Sequence, residues 1–352
     1  MDDMLHYLQA VTEANASDLF LVAGAPVTMK VDGHLVPLTE NKIFPDTTSA
    51  LIATLYEMAG RSMDHLMACG DDDFSVSVRS LARFRINAYK QRSSVSAVIR
   101  VVSFTIPDYK AYGIPEQVMD LADLTHGMVL ITGTAGSGKS TTQACIVDRI
   151  NRTRSCHIIT LEDPIEYLHA NKMSIVSQRE IAIDTEDCLS ALRACLRQAP
   201  DVIQVGEMRD LETIRAAMTA AETGHMLMAT LHTRGAVNTI DRIIDTFPPE
   251  GQQQIRLQLS SVLHTVVSQQ LLPGTKGELV PAFEIMHMTS AIRSMIRDSK
   301  THQIDNAIAT GSAAGMISMD QSILDLYRQG RISKDTALEF ADEPEQMKRR
   351  LL

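Results

Sequence analysis

Residues 127–140 read GMVLITGTAGSGKS, and the reading of this stretch decides the fold. GMVLIT is a short, unbroken apolar run, the pattern of a strand buried on both faces. Gly133, Thr134, Ala135, Gly136, Ser137, Gly138, Lys139 and Ser140 follow at once and fit G-x-x-x-x-G-K-[ST]. Helical periodicity then begins, with Thr141 in its first turn. A strand, a glycine-rich loop and a helix start, in that order, form a phosphate cradle. The glycines let backbone N–H groups wrap phosphate oxygens, and the positive helix end adds to the attraction. Lys139 is placed to reach the β- and γ-phosphates, and Ser140 to ligate Mg²⁺.

The rhythm continues downstream. "HIITLE", "DVIQVGE" and "HMLMATLH" are further short apolar runs, separated by helical patterns near 139–151, 185–199 and 210–223. Buried parallel strands alternating with helices predict an α/β doubly wound sheet. In the helix at 210–223, Asp210 can cap the start and Gly224 can end it. Leu211, Ile214, Met218 and Ala221 form its apolar stripe. From about 251 onward the pattern predicts mainly helix.

Upstream, residues 1–103 predict a separate mixed α/β domain. A helix near 2–14 precedes "DLFLVAG" and "VTMKVDGHLVPL", with a hairpin turn at Asp32-Gly33. A second helix falls near 47–59, then "FSVSV", "ARFRINAYKQ" and "SVSAVIRVV" alternate as antiparallel strands. Pro107, Gly113 and Pro115 break the pattern, so 104–115 is the expected linker. The ATPase-type core then spans 116–272, and 273–352 is the C-terminal region.

Composition narrows the function classes. The chain has 352 residues, 45% hydrophobic, with a formal net charge of -10. That acidic balance argues against nucleic acid as the main partner. With no Trp and few aromatics, the core must rest on aliphatic residues and Met. The five Cys form no CxxC pair, which argues against a disulfide scaffold or a four-Cys zinc site. The start, "MDDMLHYLQAVTEANASD", lacks a signal-peptide pattern, and no apolar run approaches the ~20 residues that span a bilayer. A cytoplasmic chain without direct membrane insertion is expected, any membrane role passing through a partner.

Hydrolysis needs carboxylates at neighbouring strand ends, to hold Mg²⁺ and polarise water. "HIITLEDPIEY" offers Glu162 and Asp163, with Glu166 just beyond. "DVIQVGEMRD" offers Glu207, after Gly206. "TGHMLMATLHT" places His225 and His232 on either side of a buried strand, as γ-phosphate or subunit sensors or as satisfied core residues.

These four strings together resemble the secretion ATPases of type II secretion and type IV pili. They are similar to that family's Walker A motif, Asp box, Walker B motif and His box. "ASDLFLVAGAPVTMKVDGHL", "LARFRINAYKQR" and "AIRSMIRDSKTHQIDNAIATGSAAGMISMDQSIL" extend the resemblance to the pilus retraction ATPases, the PilT family. The resemblance implies a PAS-like N-terminal domain, a RecA-like ATPase domain, a helical tail and a homo-hexameric ring that binds ATP with Mg²⁺. It implies Glu166, with Glu162 as second choice, as the water-polarising acid, and Glu207 as the Walker B acid. Asp163 is a further metal-side carboxylate, and His225 and His232 form the His box. Arg83, Arg85, Arg92 and Arg100 become the arginines that could reach nucleotide from the N-terminal domain or a neighbour. The implied partners are an inner-membrane pilus platform protein, which would hold the ring at the inner face of the cytoplasmic membrane, and a paralogous pilus ATPase.

"AIRSMIRD" (residues 291–298) stands where retraction ATPases usually have "AIRNLIRE". Ile292, Met295 and Ile296 would pack inward, while Arg293 and Arg297 would face an acidic partner or a neighbouring subunit. Competing readings are a pilus-extension or type II secretion ATPase, a non-hydrolysing ATP-binding modulator, and a RecA-like DNA motor. The extension and secretion ATPases usually carry an extra N-terminal domain and a four-Cys zinc site.

Overall fold

The structure, a computed structural model, describes residues 2–31, 33–79, 81–102 and 105–351. Two compact units emerge: one holds the residues up to Thr105 with Glu166–Leu168, the other Ile106–Ile165 with His169–Leu352. Asp32 of the expected hairpin turn and Phe104, where the expected linker starts, lie outside the described residues.

The first unit is built on six antiparallel strands: β1 (Asp18–Leu21), β2 (Pro26–Val31), β3 (His34–Lys42), β4 (Asp71–Val78), β5 (Ala82–Gln91) and β6 (Ser94–Val102). Their order is β3-β2-β1-β6-β5-β4. Alternation sets the faces. Ala82, Phe84, Ile86 and Ala88 of β5 are buried, while Arg83, Arg85 and Asn87 point to the other face. The buried face packs with Met4, Leu8 and Val11 of the helix Asp2–Glu13 and Leu51, Ile52 and Leu55 of the helix Pro45–Met58. A short helix, Asp64–Cys69, has no counterpart in the sequence reading.

The second unit carries the expected α/β core. Its strands are β7 (Gly127–Thr132), β8 (His157–Glu162), β9 (Ile175–Glu180), β10 (Val202–Val205), β11 (Met226–Leu231), β12 (Leu263–Pro273) and β13 (Leu279–His287). The order is β13-β12-β7-β11-β10-β8-β9. All neighbours are parallel except β12 and β13. Every residue of β7, β10 and β11 is buried, which is why these strands lack alternation. Gln204 in β10 is buried among them, and its Oε1 has no hydrogen-bond partner among the described residues. The expected cap is present: Asp210 caps Leu211–Glu222 by accepting from Thr213 N, and Asp187, which the sequence reading did not single out, caps Cys188–Cys195 by accepting from Ser190 N.

One expectation is corrected. The chain after 251 is not mainly helical over its first half, because β12 and β13 extend the sheet. The helix Pro249–Val262 runs into β12 at Leu263 with no intervening residue. No Gly or Pro marks that change, and SSVLHTVVSQQLL satisfies helical spacing as well as a buried strand. Beyond β13 the chain is helical, as expected.

Candidate active site

Parallel strands aim their C-terminal ends the same way, so the loops after β7, β8, β10 and β11 share one edge of the sheet. The loop after β7 is the phosphate cradle, and it leads into the helix Lys139–Thr153. Gly133 has φ +144°, and a Cβ there would overlap the Gln269 carbonyl oxygen and sit 2.6 Å from Ser137 Oγ. Gly138 has φ +89°, and its Cβ would lie 2.7 Å from Gln269 Nε2. Both positions therefore require glycine. Sequence reasoning missed the strut on the other side of these contacts. Gln269 of β12 is buried and accepts from Thr142 Oγ1 at 2.8 Å, so it braces the loop from a strand outside the motif.

Lys139 is buried, and its Nζ donates to the carbonyls of Gly133 and Thr134, each at 2.9 Å. Its Nζ also lies 3.4 Å from His232 Nδ1. An ammonium only donates, so Nδ1 accepts and the imidazole proton sits on Nε2. His232 Nε2 is 3.3 Å from Glu207 Oε1, and Arg209 Nε donates to Glu207 Oε2 at 2.8 Å. The Glu207 carboxylate raises the pKa of Arg209 above its ordinary value through that bond. A connected line thus runs from the phosphate-loop lysine through His232 to Glu207. A cavity of about 340 Å³ opens beside Glu207 and His232, lined also by Arg209, Thr233 and Arg242.

The other predicted residues are placed less centrally. Glu162 accepts from Thr160 Oγ1 at 2.6 Å and from Gln178 Nε2 at 3.0 Å. Gln178 lies on β9, so these bonds draw the carboxylate away from β7. Asp163 is exposed, and exposed Glu166 belongs to the segment grouped with the first unit. Ser140 and Thr141 are half-buried in the first helical turn, and Thr134, Ala135 and Gly136 are exposed at the loop tip. Ser137 is buried.

His225 does not lie beside the phosphate loop of its own chain. It precedes β11, whereas His232 follows it, so a whole strand of roughly 20 Å separates them at ~3.3 Å per residue. Its Nδ1 lies 3.0 Å from Ala220 O and 3.1 Å from Thr223 Oγ1, at the end of the preceding helix.

Among the arginines, Arg83 donates to Ser77 Oγ at 3.2 Å, Arg85 lies 3.8 Å from Asp73, and Arg100 donates to Asp18 at 3.0 Å. Asp18 is 6% exposed, so taking Arg100 away would leave a carboxylate poorly solvated. Arg92 is exposed at the β5–β6 hairpin tip.

The AIRSMIRD segment forms the helix Ser290–Arg297, capped by Thr289, with Ile292 and Ile296 fully buried and Met295 packed beside them. Its arginines split, contrary to expectation. Arg293 turns inward and donates to the carbonyls of Ser260 and Ser261 at the end of the helix Pro249–Val262. Arg297 is exposed and donates to Ser294 Oγ at 3.1 Å. Arg293→Ala should therefore lower unfolding stability by about 1 kcal/mol, because the Ser260 carbonyl is left part-buried while exposed Ser261 can turn to water. Arg297→Ala should stay within about 0.5 kcal/mol. Urea unfolding of the two variants checks this; equal losses would contradict the split.

Fold and cradle define a P-loop nucleotide-binding protein. The Type II/IV secretion system protein model matches residues 2–312, and the chain belongs to that family. The type IV pilus retraction ATPase PilT of Pseudomonas aeruginosa is 42% identical over 343 residues, 97% of this chain and 99% of its own. The type IV pilus ATPase PilU of the same organism is 37% identical over 337 residues, 95% and 87% of the two chains. The crystal structure of the pilus retraction motor PilT with bound ADP aligns with a TM-score of 0.87 at 44% identity, covering 97% of this chain and 98% of that one. Among the described residues no helix is long and apolar enough to cross a membrane.

Proposed function

We propose that this chain is an ATP-hydrolysing motor that powers type IV pilus retraction, and so twitching motility, as a ring of six copies. The observation that carries the reading is the 42% identity to the retraction ATPase along 97% of this chain, which includes the AIRSMIRD helix as well as the phosphate loop. The connected Lys139–His232–Glu207 line supports hydrolysis over passive binding. Lys139 would exchange its loop carbonyls for phosphate oxygens. His232 would hold Glu207 oriented, and Glu207 would act as the Walker B acid beside the phosphates.

Mg²⁺ fits this donor set. It needs few protein oxygens and keeps waters and phosphates as its other ligands. Ser140 and Glu207 would hold it, with Asp163 further out, and it would supply charge neutralisation at the phosphates. Glu166, with Glu162 second, remains the proposed water-polarising acid. Arg92 and its three sheet neighbours would complete the site across a subunit boundary, which makes turnover depend on assembly. The ring would act on an inner-membrane platform protein from the cytoplasmic side, with a PilU-like paralogue as a further partner.

Deleting the gene tests the direction of work. Hyperpiliated, non-retracting cells are expected; bald cells would overturn retraction in favour of assembly. Within this reading, Arg297→Ala should impair retraction while ATP turnover persists, because its guanidinium is the one on the AIRSMIRD helix that faces outward.

A further inference from the structure

The site is held from behind by the β12–β13 pair. Four residues, from His232 to Gly235, connect β11's end to the helix Ala236–Asp245. Two side chains grip this turn. Ser268 Oγ of β12 accepts from Gly235 N at 2.9 Å. Glu284 Oε1 of β13 accepts from Ala236 N at 2.7 Å. Ser268 and Glu284 are cross-strand partners, so they form one clamp. Glu284 is 5% exposed and also lies near the start of the helix Met319–Arg328, where the Met319 N–H favours its charged form. One buried carboxylate thus joins two helix starts. One belongs to the turn that carries His232, and the other to the C-terminal helices.

We propose that Glu284 is a positioning residue for hydrolysis: it fixes the turn behind His232 and ties that turn to the C-terminal helical region. The inference rests on the hydrolysis reading above. A glutamate shut away from water is unfavourable without a role that needs its charge, and two helix N-termini supply the compensating field. Burial nevertheless dominates and pushes the Glu284 pKa up to about 7, with Asp342 and Asp305 adding to the rise. The adjoining cavity is also lined by Arg234, Asp320, Glu343 and Arg350. Because the folded value lies above the unfolded one, the chain loses stability as pH rises from the ordinary carboxylate range to about 7. Above that value the ionised carboxylate holds the Ala236 N–H with its full charge; below it, protonation weakens that grip.

The test uses the full chain. Glu284→Gln keeps the volume and removes the charge. It should lower kcat about tenfold or more, with the KM for ATP and the affinity for ADP unchanged, since a turn displaced by a fraction of an ångström spoils alignment and not binding. In a His232→Ala background the same substitution should have no further effect on kcat, because it acts through that imidazole. The wild type should lose activity on acidification through about pH 7, and Glu284→Gln should lack that inflection. Should Glu284→Gln fail to fold, Ser268→Ala loosens the same turn from β12 and should show the same non-additivity. Losses that add in the double variant, or an unchanged kcat, would overturn the proposal. If the wild type releases no phosphate, the hydrolysis reading falls and takes this inference with it; an active wild type beside an equally active Glu284→Gln overturns the inference alone.

Discussion

Lys139→Ala is expected to reduce phosphate release to background and to weaken ADP binding at the same time. Nζ is the one fixed positive charge whose bonds close the cradle, donating to Gly133 O and Thr134 O and standing 3.4 Å from His232 Nδ1. Removing it takes a charge-assisted donor from the phosphates in both ground and transition states. Loss of one preorganised donor costs about 10²–10³ in rate, and a full charge costs at least that. It also frees Nδ1 to lose its lone-pair partner, so the imidazole no longer favours the Nε2 proton that faces Glu207. Binding and chemistry should therefore fall together. Some stability should be lost, because water can replace the amine at the carbonyl of exposed Thr134 but not at the buried Gly133 carbonyl. Lys139→Arg should not rescue, since a planar fork cannot replace a compact ammonium inside the loop. Phosphate release, ADP titration and thermal unfolding decide it. A Lys139→Ala chain with native turnover would remove Lys139 from the mechanism.

Much of this site was legible because local chemistry and global position agree there. The phosphate loop reports itself through glycines that admit no Cβ, and the buried parallel strands through unbroken apolar runs. Asp210 announced its helix by capping chemistry that needs only neighbouring residues. The rest depends on partners distant in sequence. Gln269 is one of many glutamines until β12 lies beside β7, 127 residues after its partner Thr142. Glu284 looks like a solvated acid until two helix starts converge on it. His225 and His232 flank the same strand with equal weight, and only strand length separates their ends. Arg293 and Arg297 likewise share a helix face by spacing. Their difference appears only when the helix Pro249–Val262 presents its last carbonyls to one of them. The missed β12 and β13 have the same cause: β12 is set beside β7 and β13 beside β12, neighbours that their own periodicity does not announce.

Glu207→Gln should separate binding from chemistry. The carboxylate meets His232 Nε2 at 3.3 Å and Arg209 Nε at 2.8 Å, and neither contact needs to touch the phosphate loop. A glutamine keeps the length and one acceptor oxygen, so the cradle should still fill with nucleotide. What disappears is the negative charge that would hold Mg²⁺ at the phosphates. Losing one preorganised charge at the reacting centre costs about 10²–10³ in rate. The expected result is ADP and ATP affinity close to native with kcat reduced by roughly that factor, the opposite pattern to Lys139→Ala. Arg209 sharpens the test. It is 70% exposed, so its pairing with Glu207 is screened, and releasing it costs little. Arg209→Ala should therefore leave far more activity than Glu207→Gln. If the two variants lost equal activity, the ion pair and not the free carboxylate would be the working unit. If Glu207→Gln hydrolysed ATP at the native rate, Glu207 would leave the mechanism, and of the acids Glu166→Gln or Glu162→Gln alone would carry the large loss.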